Sequence, residues 1–146
     1  MTMHRRPVGR TRLLAAIGAL FMLAGCFLPW WTRRATSGLP ALSGTAFEGW
    51  GIVVFAAAIA TLALVTLPYA TERPVALDRW TSYALIGGAG WLAFAYRIVE
   101  LGSVNALSFA EPAEFVTNIP GLWLAGIGLV VLARATYEML GEPRLR

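Results

Sequence analysis

Residues 26–51 read CFLPWWTRRATSGLPALSGTAFEGWG, and this stretch separates two long apolar runs of the chain. The first run breaks at Pro29, two tryptophans follow, and a connection with several glycines leads to Trp50. Tryptophan rings favour the headgroup level of a bilayer, and proline removes a backbone donor from a helix. We therefore interpret the stretch as the outer connection between two membrane-spanning helices, with Cys26, the chain's single cysteine, at its start.

The composition of the whole chain is typical of a membrane protein. Of its 146 residues, 58% are hydrophobic and 14% are charged, whereas a soluble domain has about 25% charged residues. No long polar tract remains from which a second domain could form, so we predict a single membrane domain over residues 1–146. The net charge of +4 comes from arginines that flank apolar runs, and it does not indicate nucleic-acid binding.

Four apolar runs are long enough to cross a membrane. The first has 18 residues, or about 27 Å of helix, against a hydrocarbon core about 30 Å thick. We place helices at about 13–30, 49–67, 80–101 and 121–137, with Pro68 just beyond the second. The short connection at 71–79 indicates a turn between antiparallel neighbours. The sequence therefore predicts an all-α membrane protein, an antiparallel bundle of four transmembrane helices.

The distribution of arginines predicts the orientation. Four arginines precede residue 13, two lie in the connection at 71–79, and three lie at or beyond residue 134, all on one side of the predicted bundle. Only Arg33 and Arg34 lie in a connection on the other side. Because arginine favours the cytoplasmic side of a membrane, we expect both termini in the cytoplasm of a multi-pass protein of the bacterial cytoplasmic membrane. Membrane placement alone does not explain Arg33 and Arg34.

Residues 23–26 spell LAGC after a cationic flank and a short apolar run. This motif resembles the lipobox of bacterial lipoproteins, and the resemblance implies cleavage before Cys26 and lipidation of its sulfur. Against lipidation, the apolar run continues through Phe27 and Leu28, and three further spans make a lipid anchor superfluous. Small residues inside a spanning helix are the alternative interpretation.

Arg97 and Glu100 are the only charges within an apolar run. Their spacing of three brings both side chains to one face near the end of the third helix. An ion pair, or an arginine that reaches the headgroups, is one interpretation. The other is a contact with a ligand or partner, because a charge within a membrane is costly.

Aromatic and cationic residues gather at the predicted outer ends of the helices. Such a rim can admit a lipid or an anionic small molecule, or it can be an ordinary aromatic belt. The candidate ligand or partner contacts are Trp30, Trp31, Arg33, Arg34, Trp50, Arg97 and Glu100.

Small residues four apart allow helices to approach closely. The pairs are Ala56 with Ala60, Ala84 with Gly88, Ala89 with Ala93, and Gly121 with Ala125. Gly87, Gly88 and Gly90 precede Trp91, and they could accept that ring from a neighbouring copy, flex the helix, or serve ordinary packing.

The sequence lacks the residues that metal binding, phosphate binding and catalysis require. The single histidine, His4, lies in the N-terminal tail, so we predict no metal and no cofactor. No carboxylate occupies the middle of a helix, and the chain has no lysine for a phosphate-binding loop. No catalytic set can be assembled, so we do not expect an enzyme.

Pro29 with Trp30, residues 44–51 (GTAFEGWG) and residues 119–126 (IPGLWLAG) resemble a broad group of small bacterial four-helix membrane proteins of unassigned function. The resemblance implies four spans and two outer loops, and it implies no catalytic residues. The tight-junction tetraspans share this plan, but their outer-loop cysteine pair is missing.

The leading functional hypothesis is a non-enzymatic accessory or assembly subunit of a larger membrane complex. The alternatives are a binding or transport protein for a lipid or anionic small molecule at the outer face, and a lipoprotein lipidated at Cys26. The expected partners are membrane lipids and either another protein or a second copy of the chain.

Overall fold

The computed structural model describes residues 9–70, 79–107 and 111–142. Five helices lie in this part of the chain: α1 (Arg10–Phe27), α2 (Gly51–Ala70), α3 (Trp80–Ser103), α4 (Pro112–Thr117) and α5 (Pro120–Leu140). Two short strands, β1 (Trp31–Arg33) and β2 (Leu42–Gly44), lie between α1 and α2. Four of the helices, α1, α2, α3 and α5, are long and apolar enough to cross a membrane, which is the number of candidate spans that the sequence predicts.

The helix ends follow local chemistry and differ from the predicted ends. α1 stops at Phe27, before the predicted end at Trp30, because Leu28 precedes a proline and takes an extended conformation (φ −91°, ψ 160°). α2 continues through Pro68 to Ala70, and a proline this close to the C-terminal end removes a single helical hydrogen bond. Pro120 is the first residue of α5, where its missing N–H costs nothing.

The connection between α1 and α2 contains a β-hairpin that the all-α prediction missed. β1 and β2 pair antiparallel, with Trp31 opposite Gly44 and Arg33 opposite Leu42. The backbone N–H of Trp30 donates to the Gly44 carbonyl at 2.8 Å, which joins the hairpin to the end of α1. We call residues 31–44 the hairpin, and the end of the bundle where it lies the hairpin end.

The long helices form a closed ring. α1 contacts α2 and α5, and α3 also contacts α2 and α5. The core between them is built from aliphatic and aromatic side chains, including Met22, Val54, Phe94 and Leu129. Residues 71–78 of the predicted turn at 71–79, the N-terminal tail before residue 9, and Arg144 and Arg146 lie outside the described residues.

α1 and α5 share the most extensive contact of any two elements, and glycines make it possible. A Cβ atom placed on Gly18 would lie 2.8 Å from the Gly128 carbonyl oxygen, and one on Gly25 would lie 2.6 Å from the Ala125 nitrogen. The two backbones therefore touch with no side chain between them. Rising residue numbers in α1 meet falling residue numbers in α5.

The predicted small-residue pairs have different surroundings. Gly121 and Ala125 lie in the contact with α1, whereas a Cβ on Gly88 would meet nothing within 4 Å. Gly90 packs within the bundle, because a Cβ there would lie 3.1 Å from the Leu129 side chain. Ordinary packing thus accounts for Gly90, and Gly88 lies on an open face of α3.

Candidate functional site: an apolar groove below an arginine pair

Trp30 belongs to the core, which corrects its expected place at the rim. Its side chain is completely buried, its indole Nε1 donates to the Gly25 carbonyl at 2.9 Å, and its ring meets Phe94 edge-on at 5.7 Å. The chain turns after Pro29 and folds this ring back over the end of α1. Trp30 therefore stabilises the hairpin end, and protein atoms cover it completely.

Trp31 and Trp50 remain near the surface. The Trp31 indole donates to the Glu48 carboxylate at 3.2 Å, and the two side chains lie over Gly44, whose missing side chain makes room for them. Trp50 is 55% exposed, and its ring contacts Tyr96 at 5.6 Å. Both tryptophans lie at the hairpin end of the bundle, Trp31 in β1 and Trp50 directly before α2.

Arg97 and Glu100 form the ion pair that their spacing predicts. A terminal guanidinium nitrogen of Arg97 donates to the Glu100 carboxylate at 2.6 Å, and the Arg97 side chain is 8% exposed. A Cβ on Gly49 would lie 3.0 Å from the same nitrogen, and Gly49 has a left-handed φ of 106°. Glycine at position 49 thus lets the chain pass close over the buried guanidinium before α2 begins.

Arg33 and Arg34 connect the hairpin to two other segments. Arg33 donates to the Val104 carbonyl at 3.2 Å, just beyond the end of α3. Arg34 forms an ion pair with Glu114 of α4. The two arginines that membrane placement does not explain therefore lie together above the junction of α3 and α4.

Beneath this junction, α3 and α5 separate and leave an apolar groove of about 410 Å³. Its walls come from the hairpin-side halves of both helices, and Phe115 of α4 and Leu107 border it at the hairpin end. The groove is lined by Trp91, Phe94, Ile98, Leu107, Phe115, Leu122, Trp123, Gly126, Ile127, Val130 and Val131. Ile127 and Val130 are 50% and 56% exposed, so the groove opens sideways from the bundle.

Aromatic side chains form much of the groove's walls. The Trp123 indole donates to the Phe115 carbonyl at 3.2 Å, and the rings of these two residues meet at 5.5 Å. Trp91 contacts Phe94 edge-on at 6.1 Å. Gly126 faces the Phe94 ring and contributes no side chain, so the groove is deeper at this point.

A second cavity of about 280 Å³ continues the same seam toward the other end of the bundle. It is bordered by Tyr83, Gly87, Gly88 and Thr136 among others, and it shares Trp91 with the apolar groove. The surface between α3 and α5, which we call the α3–α5 seam, thus has two open stretches that share Trp91. Beside them, the buried side chains of Leu129 and Leu132 on α5 pack against α3.

Cys26 is part of the packed interior of the bundle. Its side chain is completely buried, and the adjacent Gly25 lies against the Ala125 backbone. Cleavage before Cys26 would remove most of α1, the helix that makes the most extensive contact in the bundle. The fold thus favours the interpretation of LAGC as helix packing.

The described residues contain no group of three or more histidine, cysteine, aspartate or glutamate side chains placed to hold a metal ion. Three ion pairs among these residues have structural positions: Arg34 with Glu114 joins the hairpin to α4, Arg97 with Glu100 lies within α3, and Arg134 with Glu138 lies within α5. Nothing in this part of the chain indicates catalysis.

Sequence reasoning missed most residues of the groove, including Leu107, Phe115, Leu122 and Val130. Trp91 was noted with its glycines, but not as a wall. Periodicity shows which residues can face a neighbouring helix, and it does not show how far away that helix lies. The aromatic pair Phe115 and Trp123 near a predicted helix start was the available signal.

Four apolar helices in a closed ring, with a hairpin and a sideways groove, define a multi-pass integral membrane protein. The chain is 32% identical over 126 residues to a UPF0060 membrane protein of Paracidovorax citrulli (strain AAC00-1). The aligned residues make up 85% of this chain and 92% of that relative. The chain therefore belongs to the UPF0060 membrane protein family, and the predicted kinship with small bacterial membrane proteins of unassigned function is confirmed. No family model and no solved structure matches it.

Proposed function

We propose that the chain is a non-enzymatic protein of the bacterial cytoplasmic membrane that binds one acyl chain of a lipid in the groove between α3 and α5. In this proposal the long helices form an antiparallel bundle with both termini in the cytoplasm, and the hairpin end faces outward. The observation that carries the proposal is a groove lined by apolar and aromatic side chains, open to the side on which a membrane protein meets lipid.

The length of the groove supports an acyl chain as its occupant. Along α5 its lining runs from Leu122 to Val131, and nine residue steps correspond to about 13.5 Å of helix. One leaflet of a bilayer contributes about half of the hydrocarbon core, or roughly 15 Å. The groove therefore extends over about the depth of one leaflet, starting from the hairpin end.

The arginine distribution supports the orientation. The basic residues at the other end are numerous, and arginines near membrane segments favour the cytoplasmic side. Arg33 and Arg34 are the exceptions, and their contacts with Val104 and Glu114 give them another role. Under this orientation the groove lies in the outer leaflet.

A matched pair of variants tests the groove. Val130→Trp fills it from a residue that is 56% exposed, and Val99→Trp places the same ring on a lipid-facing position of α3 outside the groove, 69% exposed. We expect native mass spectrometry from mild detergent to show one retained lipid for the wild type and for Val99→Trp. Val130→Trp should retain none.

Equal retention by the two tryptophan variants would contradict the proposal. Both substitutions enlarge an exposed side chain without adding an atom to the core, so neither should unfold the bundle. Circular dichroism and the gel-filtration profile in the same detergent check that both variants keep the wild-type fold.

The accessory or assembly role is the second candidate, and the hairpin favours it. Leu39 and Leu42 are 67% and 55% exposed, although they lie beyond the ends of the spanning helices. Apolar side chains exposed together outside a membrane span are typical of contact sites. If native complexes in mild detergent contain only monomers, in the wild type as in Leu39→Ser/Leu42→Ser, this role has no support.

A further inference from the structure

We propose that Arg33 and Arg34 bind the headgroup of an anionic phospholipid whose acyl chain occupies the groove. This inference rests on the proposed function, and it adds the chemical class of the lipid. The juxtaposition that points to it is a pair of cations, Arg33 at the end of β1 and Arg34 directly after it, held at the hairpin end of a groove of acyl-chain length.

The contacts of both arginines place them at the entrance of the groove. Val104, which accepts from Arg33, lies three residues before Leu107, and Glu114, which pairs with Arg34, directly precedes Phe115. Leu107 and Phe115 border the groove. Each guanidinium therefore contacts a segment that forms the border, at the depth where the polar part of a bound lipid would begin.

The position of β1 is itself fixed. Trp30 is buried in the core, and its backbone N–H donates to Gly44 of β2. The Trp31 indole donates to Glu48, which keeps that carboxylate engaged away from the arginines. The hairpin thus holds its two cations over the groove without support from a ligand.

Both arginines retain donors for a phosphate. A guanidinium has five N–H donors in a planar fork that fits phosphate oxygens. Arg33 uses one terminal nitrogen for Val104, and the Arg34 side chain is 71% exposed while it pairs with Glu114. Glu114 is the less accessible partner, with a side chain 22% exposed, so a phosphodiester can reach the outward-facing donors of Arg34 and compete with Glu114 for this guanidinium.

The net charge of the lipid follows from this arrangement. Two adjacent cations attract a headgroup with a net negative charge, whereas the ammonium group of a zwitterionic headgroup would be repelled. Each arginine near a membrane surface strengthens the binding of anionic lipid about fivefold. We therefore expect preference for phosphatidylglycerol over phosphatidylcholine with the same acyl chains.

The experiment offers the full-length protein an equimolar mixture of dioleoyl-phosphatidylglycerol and dioleoyl-phosphatidylcholine and identifies the retained lipid by native mass spectrometry. The lipid that counts is the one lost in Val130→Trp. The wild type should prefer phosphatidylglycerol, and Arg33→Gln/Arg34→Gln should retain lipid in the groove with a preference at least fivefold weaker. Arg134→Gln, which removes an exposed arginine from an ion pair of α5 at the other end, is the matched control and should keep the wild-type preference.

Glu114→Gln distinguishes recognition from simple fastening of the hairpin. If Glu114 competes with the lipid for Arg34, its neutralisation should raise the preference for phosphatidylglycerol. If the ion pair serves only to fasten the hairpin, the preference should fall or stay the same, and that result overturns the inference.

Two further outcomes are decisive. Suppose that Val130→Trp loses lipid while Arg33→Gln/Arg34→Gln keeps the full preference for phosphatidylglycerol. The proposed headgroup site is then wrong, and the proposal that the groove binds an acyl chain is kept. If Val130→Trp retains as much lipid as Val99→Trp, the proposed function fails first. Excess inorganic phosphate should leave the preference intact, and its disappearance would show a site for free phosphate and overturn the assignment to a lipid.

Discussion

α5 forms two very different contacts along its length. On one side Gly121, Ala125 and Gly128 lie against the backbone of α1, so closely that a Cβ on Gly128 would lie 2.6 Å from the Gly18 carbonyl oxygen. On the other side Gly126, Ile127 and Val130 face α3 across a groove of about 410 Å³. The same helix is thus tightly packed on one face and open on the other.

The difference shows what determines helix spacing in this protein. Lipid is as apolar as a helix surface, so close packing in a membrane depends on shape more than on hydrophobicity. Glycines on both helices let α1 and α5 touch. At the groove, α3 and α5 meet through side chains, and Trp91 of α3 and Trp123 of α5 form part of its walls. We call the α1–α5 contact the tight seam and the α3–α5 contact the open seam. The tight seam stabilises the bundle, and the open seam contains the candidate binding site.

The largest expected effect comes from removing Trp30, which closes the hairpin end beside the tight seam. Trp30→Ala leaves a cavity against Phe94 and removes the indole hydrogen bond to the Gly25 carbonyl, which then accepts only from the Leu28 N–H. We expect a loss of about 3 kcal/mol of unfolding free energy, most of it from the cavity. Trp123→Ala, on the open seam with a ring 44% exposed, should cost less than half as much. Reversible unfolding in mixed detergent and SDS micelles measures both. Equal losses would contradict the contrast between the seams.

Adding one methyl group to the tight seam should have the next largest effect. Gly128→Ala forces the α1 and α5 backbones apart and should cost about 1 to 3 kcal/mol in the same unfolding assay. Gly88→Ala is the matched control, because its Cβ meets nothing within 4 Å. Alanine also favours a helix over glycine, so Gly88→Ala should leave stability unchanged or raise it slightly. A harmless Gly128→Ala would show that the α1–α5 contact is not as close as described.

Gly126→Ala should have the smallest effect and refine the comparison within a single helix. A Cβ on Gly126 would lie 3.2 Å from the Phe94 ring, whereas a Cβ on Gly128 would meet the backbone of α1. A ring beside a groove can shift by a few tenths of an ångström, so we expect a cost below about 1 kcal/mol. The shift should also change the near-ultraviolet circular dichroism of the aromatic residues, while Gly88→Ala should not. A cost as large as that of Gly128→Ala would mean that the floor of the groove is rigid.

Part of the site could be predicted from the sequence. Arg97 and Glu100 are three residues apart on one helix, so local geometry alone brings them together. The hairpin could not be predicted in this way, because strands of three residues carry too short a pattern and their pairing is made through backbone groups. Trp30 and Trp31 look alike in sequence. The end of α1 at Phe27 and the turn that follows determine which of the two rings is buried.

The sequence by itself determined the membrane character of the chain, its four apolar helices and the presence of two arginines away from the other basic residues. These properties depend on composition and local periodicity, which neighbouring residues carry along one segment. Only the tertiary structure decided that the backbones of α1 and α5 touch, that α3 and α5 leave a groove at their surface, and that Arg33 and Arg34 lie at the hairpin end of this groove. Such distances depend on which side chains from remote segments meet across a helix interface, and no single segment contains that information.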